Sequence, residues 1–146
     1  MDSAGQELLS AALRHVRDAE HLASAGTHES LDQAFHLAGF GPECARKAVL
    51  SARTYDRAIG HGVTRASEKA LQFALAADPA AHRYDLADWA THNPALAGWT
   101  EQSRYRGTGT HSVTAVQPLL REARSIVDRI TFALWADGRL PGGFSW

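Results

Sequence analysis

VQPLLREARSIVDRITFAL, residues 116–134, carries the strongest structural signal in the chain. At about 100° per residue, Val116, Leu119, Leu120, Ala123, Ile126, Val127, Ile130, Ala133 and Leu134 fall on one stripe, with Arg121, Glu122, Arg124, Asp128 and Arg129 opposite. This periodicity predicts an amphipathic helix over about residues 111–137, closed by Gly138 and followed by Pro141-Gly142-Gly143. Pro118 is acceptable if it lies within the first turn of that helix, where a missing N–H has no helical partner.

Outward from this helix the same period recurs. Residues 5–24 place Leu8, Leu9, Ala12, Leu13, Val16, Ala19, Leu22 and Ala23 on one face, and Gly26-Thr27 supplies a break. From about His28 to Arg53 the apolar side runs through Leu31, Ala34, Phe35, Leu37, Ala38, Cys44, Ala45, Ala48, Val49 and Ala52. Pro42 lacks the donor for the Ala38 carbonyl, so Gly39-Phe40-Gly41-Pro42 predicts a kink or two short helices. After Tyr55 the text is loop-like until Thr64, which can cap a helix ending at Asp78-Pro79. Residues 82–99 hold a short amphipathic piece broken at Asn93-Pro94, and residues 98–110 are polar and glycine-bearing.

No alternating β-branched run competes, and 27 alanines favour close helix packing. The expected fold is an all-α bundle of four or five helices, one domain over 1–146 with its core at about 6–137 and a tail at 138–146. Fifteen Lys plus Arg against 16 Asp plus Glu give a charge of −1, which excludes a globally basic nucleic-acid binder. Cys44 stands alone, so an intramolecular disulfide and a cysteine-based zinc site are excluded. With no leader-like start and no apolar run near 20 residues, the reading is cytoplasmic and off the membrane.

Three groups of residues could carry chemistry. Arg104-Tyr105-Arg106-Gly107-Thr108-Gly109-Thr110-His111 precedes the last helix. An arginine can fork onto a phosphate and a histidine can move a proton near neutral pH, a pairing suited to RNA cleavage. Its bland alternative is a solvated loop. His36, Glu43 and Lys47 share one helix edge, where Glu43 and Lys47 can form an ordinary surface ion pair. His15 maps into the apolar face of the first helix, as a satisfied core or interface histidine would. Spacing offers no metal motif, so neither a metal nor a cofactor is expected. Trp89, Trp99, Trp135 and Trp146 read as core, interface or tail anchors, and Cys44 as structural.

Arg17-Asp18-Ala19-Glu20-His21-Leu22 and the run from Ala34 through Phe35-His36-Leu37-Ala38-Gly39-Phe40-Gly41-Pro42-Glu43-Cys44-Ala45-Arg46-Lys47 to Leu50 resemble the HEPN family of small helical domains. The glycine, Glu-Cys-Ala and lysine spacing is the specific part. Tyr84-Asp85-Leu86 resembles the His-Asp-Leu element of small stand-alone prokaryotic members, and Arg104-Tyr105 their Arg-Tyr. The resemblance covers about residues 6–137 and implies a dimerising bundle with a shared cleft.

Many members are metal-independent ribonucleases or toxins whose site pairs an arginine with a histidine a few residues later. Here Arg104 or Arg106 would bind the phosphate, and His111 would act as general base or acid. Tyr105, His36, Glu43 and Lys47 would orient substrate or edge the cleft. Tyr105 and Gly107 stand where the family sets a polar residue after the arginine. The implied partners are a second copy and RNA or a nucleotide. The competing class is a non-catalytic nucleotide-binding module, or one docking a nucleotidyltransferase-like partner, and an unrelated small-molecule enzyme can use the same scaffold.

Overall fold

The computed structural model describes residues 1–25, 27–50 and 59–144, and among these every regular element is helical, with no strand. Gly26, Ala52, Arg53, Tyr55 and Trp146 lie outside the described residues. The long helices are α1 (Ser3–Ala25), α2 (His28–Val49) and α3 (Arg65–Ala77). Two one-turn helices, α4 (Trp89–His92) and α5 (Pro94–Ala97), precede the last helix, α6 (Val113–Ala136). Short 3₁₀ segments cover Pro79–Tyr84 and Glu101–Tyr105.

Each long helix starts where its chemistry allows. Asp2 Oδ1 accepts the Gly5 N–H (2.8 Å) at the head of α1. Thr27 and Ser30 cap α2 reciprocally, and Thr64 and Ser67 repeat the device on α3, as Thr64 predicted. Glu122 of α6 reaches across to accept the N–H groups of Ala95 (3.2 Å) and Leu96 (2.8 Å). It thereby caps α5 with the negative charge a helix start favours.

α2 is the central element, packed on α1 and α6. Leu9, Ala12, Leu13, Val16 and Ala19 of α1, and the stripe of α6 from Val116 to Leu134 apart from the partly buried Ala133, are buried as the periodicity requires. Leu8, Leu22 and Ala23 are partly buried against this core.

Two expectations about proline meet the structure. α2 is a single helix through Pro42 rather than two short ones. Proline inside a helix costs about 3 kcal/mol, and here close packing on both sides offsets it. A Cβ on Gly41 would lie 2.5 Å from Val16 Cγ2, and one on Gly39 would lie 2.1 Å from Trp99 Cδ2. Both glycines let neighbours seat against the α2 backbone just before the proline. Pro118, in turn, is the sixth residue of α6 rather than part of its first turn. The carbonyl it leaves unpaired belongs to Thr114, an exposed residue whose oxygen can turn to water.

The C-terminal end is pinned by Tyr84, whose hydroxyl donates to Asp137 Oδ2 (2.7 Å) and accepts from Arg139 Nη1 (2.9 Å). Phe132 and Trp135 are exposed on α6 with ring centroids 5.7 Å apart. No described helix is long and apolar enough to cross a membrane.

Candidate functional site

The loop between the second 3₁₀ segment and α6 is tied to α2 by one carboxylate. Asp32 Oδ1 accepts the backbone N–H of His111 (2.8 Å) and lies 3.0 Å from His111 Nδ1, while Oδ2 accepts the Gly109 N–H (2.6 Å). Gly109 sits at φ 86°, a conformation that glycine adopts without strain. Desolvation pushes the Asp32 carboxyl up, but hydrogen bonds from the His111 and Gly109 N–H groups, the His111 ring and the Thr110 N–H outweigh it and leave it below the usual range.

An ionised Asp32 can only accept, so His111 Nδ1 carries the proton. His111 also stacks on Phe35 (centroids 3.8 Å apart, planes at 15°) and is only 7% exposed. Its Nε2 has no protein partner among the described residues and is not one of the enclosed, unpaired atoms. The ring is thus fixed in tautomer and orientation with one nitrogen available, the state a proton-transfer histidine needs.

In front of Asp32 lies a cleft of about 290 Å³ lined by Asp32, Gln33, His36, Ser103, Arg104, Arg106 and Thr108. Arg104 and Arg106 are exposed, with the Arg104 guanidinium 4.7 Å from the Tyr105 ring centroid. Both predicted arginines therefore meet in one concavity. His111 is bonded to the lining residue Asp32 without being one of the lining residues itself. His36, assigned by spacing to the group with Glu43 and Lys47, instead joins the arginines.

Glu43 and Lys47 form their i,i+4 pair (2.8 Å) away from this cleft. Glu43 Oε1 also lies 2.9 Å from His61 Nδ1, and Oε2 accepts the Gly62 N–H at 3.3 Å. The carboxylate therefore holds the 61–62 turn. Phe40 stands between the two groups, edge-on to His36 at 4.9 Å and to His61 at 6.1 Å.

Asp32, Gln33 and Ser103 belong to this candidate site but to none of the three groups read from the sequence, whereas Thr108 lies within the Arg104–His111 run. Asp32 is a carboxylate four positions before His36. Cys44 has its thiol pushed up to about 11, chiefly by burial and then by Glu43, so it is no nucleophile at neutral pH.

His15 and His36 flank Phe40 and both stay below the ordinary histidine value. For His15 the causes are burial and then Arg14, partly offset by Asp18 and Glu43; for His36 they are burial, Arg104 and His15. The unfolded chain takes up these protons near pH 6.5 while the folded chain resists them. Stability therefore falls as pH drops below that value toward the depressed folded pKa values. The melting temperature should decrease between pH 7.5 and 5, and less so in a His15→Gln/His36→Gln variant. An unchanged slope in the variant would locate the dependence elsewhere.

Compared with protein-family models, curated proteins and solved structures, the chain matches none.

Proposed function

We propose that this is a HEPN-type, metal-independent endoribonuclease of the toxin-like kind, cytoplasmic and acting as a homodimer. The supporting observation is the convergence of Arg104 and Arg106 on a cleft whose wall, Asp32, holds His111 by both backbone and ring. Guanidinium groups in a concave site stabilise charge on a phosphate, and an oriented imidazole transfers the proton that 2′-hydroxyl attack requires. The exposed Phe132 and Trp135 offer an apolar face for pairing of two copies.

The burial of His111 favours a second reading, a non-catalytic module that holds a nucleotide or docks a nucleotidyltransferase-like partner. The two separate in one assay: cleavage of a mixed RNA pool in excess chelator by wild type and His111→Ala, matched for helical content and oligomeric state. The nuclease reading expects cleavage that falls at least about 100-fold in the variant, equivalent to ~2.7 kcal/mol. Equal cleavage by both proteins removes His111 from the chemistry, and none by either shifts the assignment to the module.

A further inference from the structure

Asp32 and His36 lie one turn apart on α2, and the cleft spans both. His111 is bonded to Asp32 on one side, and Arg104 faces His36 on the other. The His36 ring is held edge-on by Phe40, with the Trp99 ring 6.5 Å away. Trp99 Nε1 donates to the His36 carbonyl at 3.1 Å. His36 Nδ1 is enclosed without a partner, and the Nδ1 of His111 is bonded to Asp32. Nε2 is thus the nitrogen each histidine has for a substrate, and each ring is immobilised by different neighbours.

We propose that His36 is the proton acceptor of this cleft and His111 its proton donor, so that a single chain carries both halves of an acid–base pair for RNA phosphodiester cleavage. This rests on the ribonuclease reading above. His36 Nε2 takes the proton of the ribose 2′-hydroxyl as the 2′-oxygen forms its bond to phosphorus. The bond from phosphorus to the 5′-oxygen breaks, and that oxygen takes the proton from His111 Nε2. The products are a 2′,3′-cyclic phosphate and a 5′-hydroxyl, with no further reactant.

The surroundings divide the two roles in that direction. Burial, reinforced by Arg104 from the 3₁₀ segment and His15 from α1, disfavours the charged form of His36, so the ring is ready to accept a proton. Asp32, on the same helix, directs its oxygens to His111 and the loop N–H groups. Through Nδ1 it fixes the His111 ring and leaves Nε2 for the leaving group. Arg104 and Arg106 remain for the phosphate oxygens. Two imidazoles held by different partners beside one phosphate site can serve as base and acid.

Two substrates distinguish the roles: an oligouridylate, and uridine 3′-(4-nitrophenyl phosphate), whose nitrophenolate leaves without a proton. General acid–base groups contribute about 10²- to 10⁴-fold. His36→Gln should therefore lose at least about 100-fold in kcat/KM on both substrates. His111→Ala should lose at least about 100-fold on the oligonucleotide but less than about 10-fold on the ester.

A His36→Gln enzyme that keeps pace with wild type on either substrate overturns the assignment alone, while a wild type that cleaves neither overturns the nuclease reading and this assignment with it. A measurement needing no variant is the wild-type pH profile. The acidic limb of kcat/KM should lie below the ordinary histidine value of about 6.5, and a limb at or above it overturns the role of His36.

Discussion

Gly39→Ala is expected to destabilise the protein by about 3 kcal/mol and to lower Tm by roughly 6–12 °C, although alanine is the better helix former. Helix propensity alone would favour alanine by about 1 kcal/mol. Against that, the new Cβ would fall 2.1, 2.2 and 2.5 Å from three atoms of the Trp99 indole. The ring is 1% exposed and cannot yield without leaving the core and giving up its hydrogen bond to the His36 carbonyl. Displacing a buried tryptophan costs about 3–5 kcal/mol, so the clash outweighs propensity. The Trp99→Leu background tests the cause: there Gly39→Ala should cost nothing or become mildly stabilising. An equal cost in both backgrounds would show that the indole is not the obstacle. Gly142→Ala, with open space around its Cβ, serves as the neutral control in thermal melts.

The same contact explains where sequence reading stopped. The stripes of α1 and α6, the Thr64 cap and the end of α3 before Pro79 are local patterns, and the structure contains them. Pro42 read locally as a breaker because its compensation is tertiary: Trp99 is 63 positions from the carbonyl it bonds. Pro118 falls past the first turn because it is the sixth residue of α6, which starts at Val113.

The site divides along similar lines. Arg104, Arg106 and His111 could be found because they lie close together in sequence. Asp32 could not, since its bonds to Gly109 and His111 span 77 and 79 positions. His36, Glu43 and Lys47 shared an edge but not a site. At 1.5 Å rise per residue, His36 and Glu43 are about 10 Å apart along the axis, far enough for Phe40 to separate them. A helical wheel shows the face and discards that length.

Glu68→Ala is expected to cost about 3–4 kcal/mol, and Arg46→Met distinctly less, although the two residues form one ion pair. Arg46 Nη2 lies 2.9 Å from Glu68 Oε1, but the approach is not directed as a hydrogen bond, and Arg46 Nε, Nη2 and Glu68 Oε1 all stay buried without hydrogen-bond partners. The Arg46 guanidinium also lies 3.8 Å from the Trp89 ring centroid. Burial lowers the Arg46 pKa, with Glu68 and then Glu43 opposing it, and arginine nevertheless stays charged.

The asymmetry follows from access to water. The Arg46 side chain is 2% exposed and that of Glu68 22%. Deleting Glu68 strands a cation that has no route to solvent, whereas deleting Arg46 leaves a carboxylate at the start of α3 that can rotate outward and still favour the helix dipole. Methionine also retains much of the arginine's packing against Trp89. The Arg46→Met/Glu68→Ala double variant should then be more stable than Glu68→Ala alone, because the stranded charge is gone, and within about 1.5 kcal/mol of wild type. Chemical denaturation of the four proteins gives the cycle directly. A double variant less stable than either single one would show that the pair stabilises this core outright, and that the misaligned geometry carries more energy than its desolvation removes.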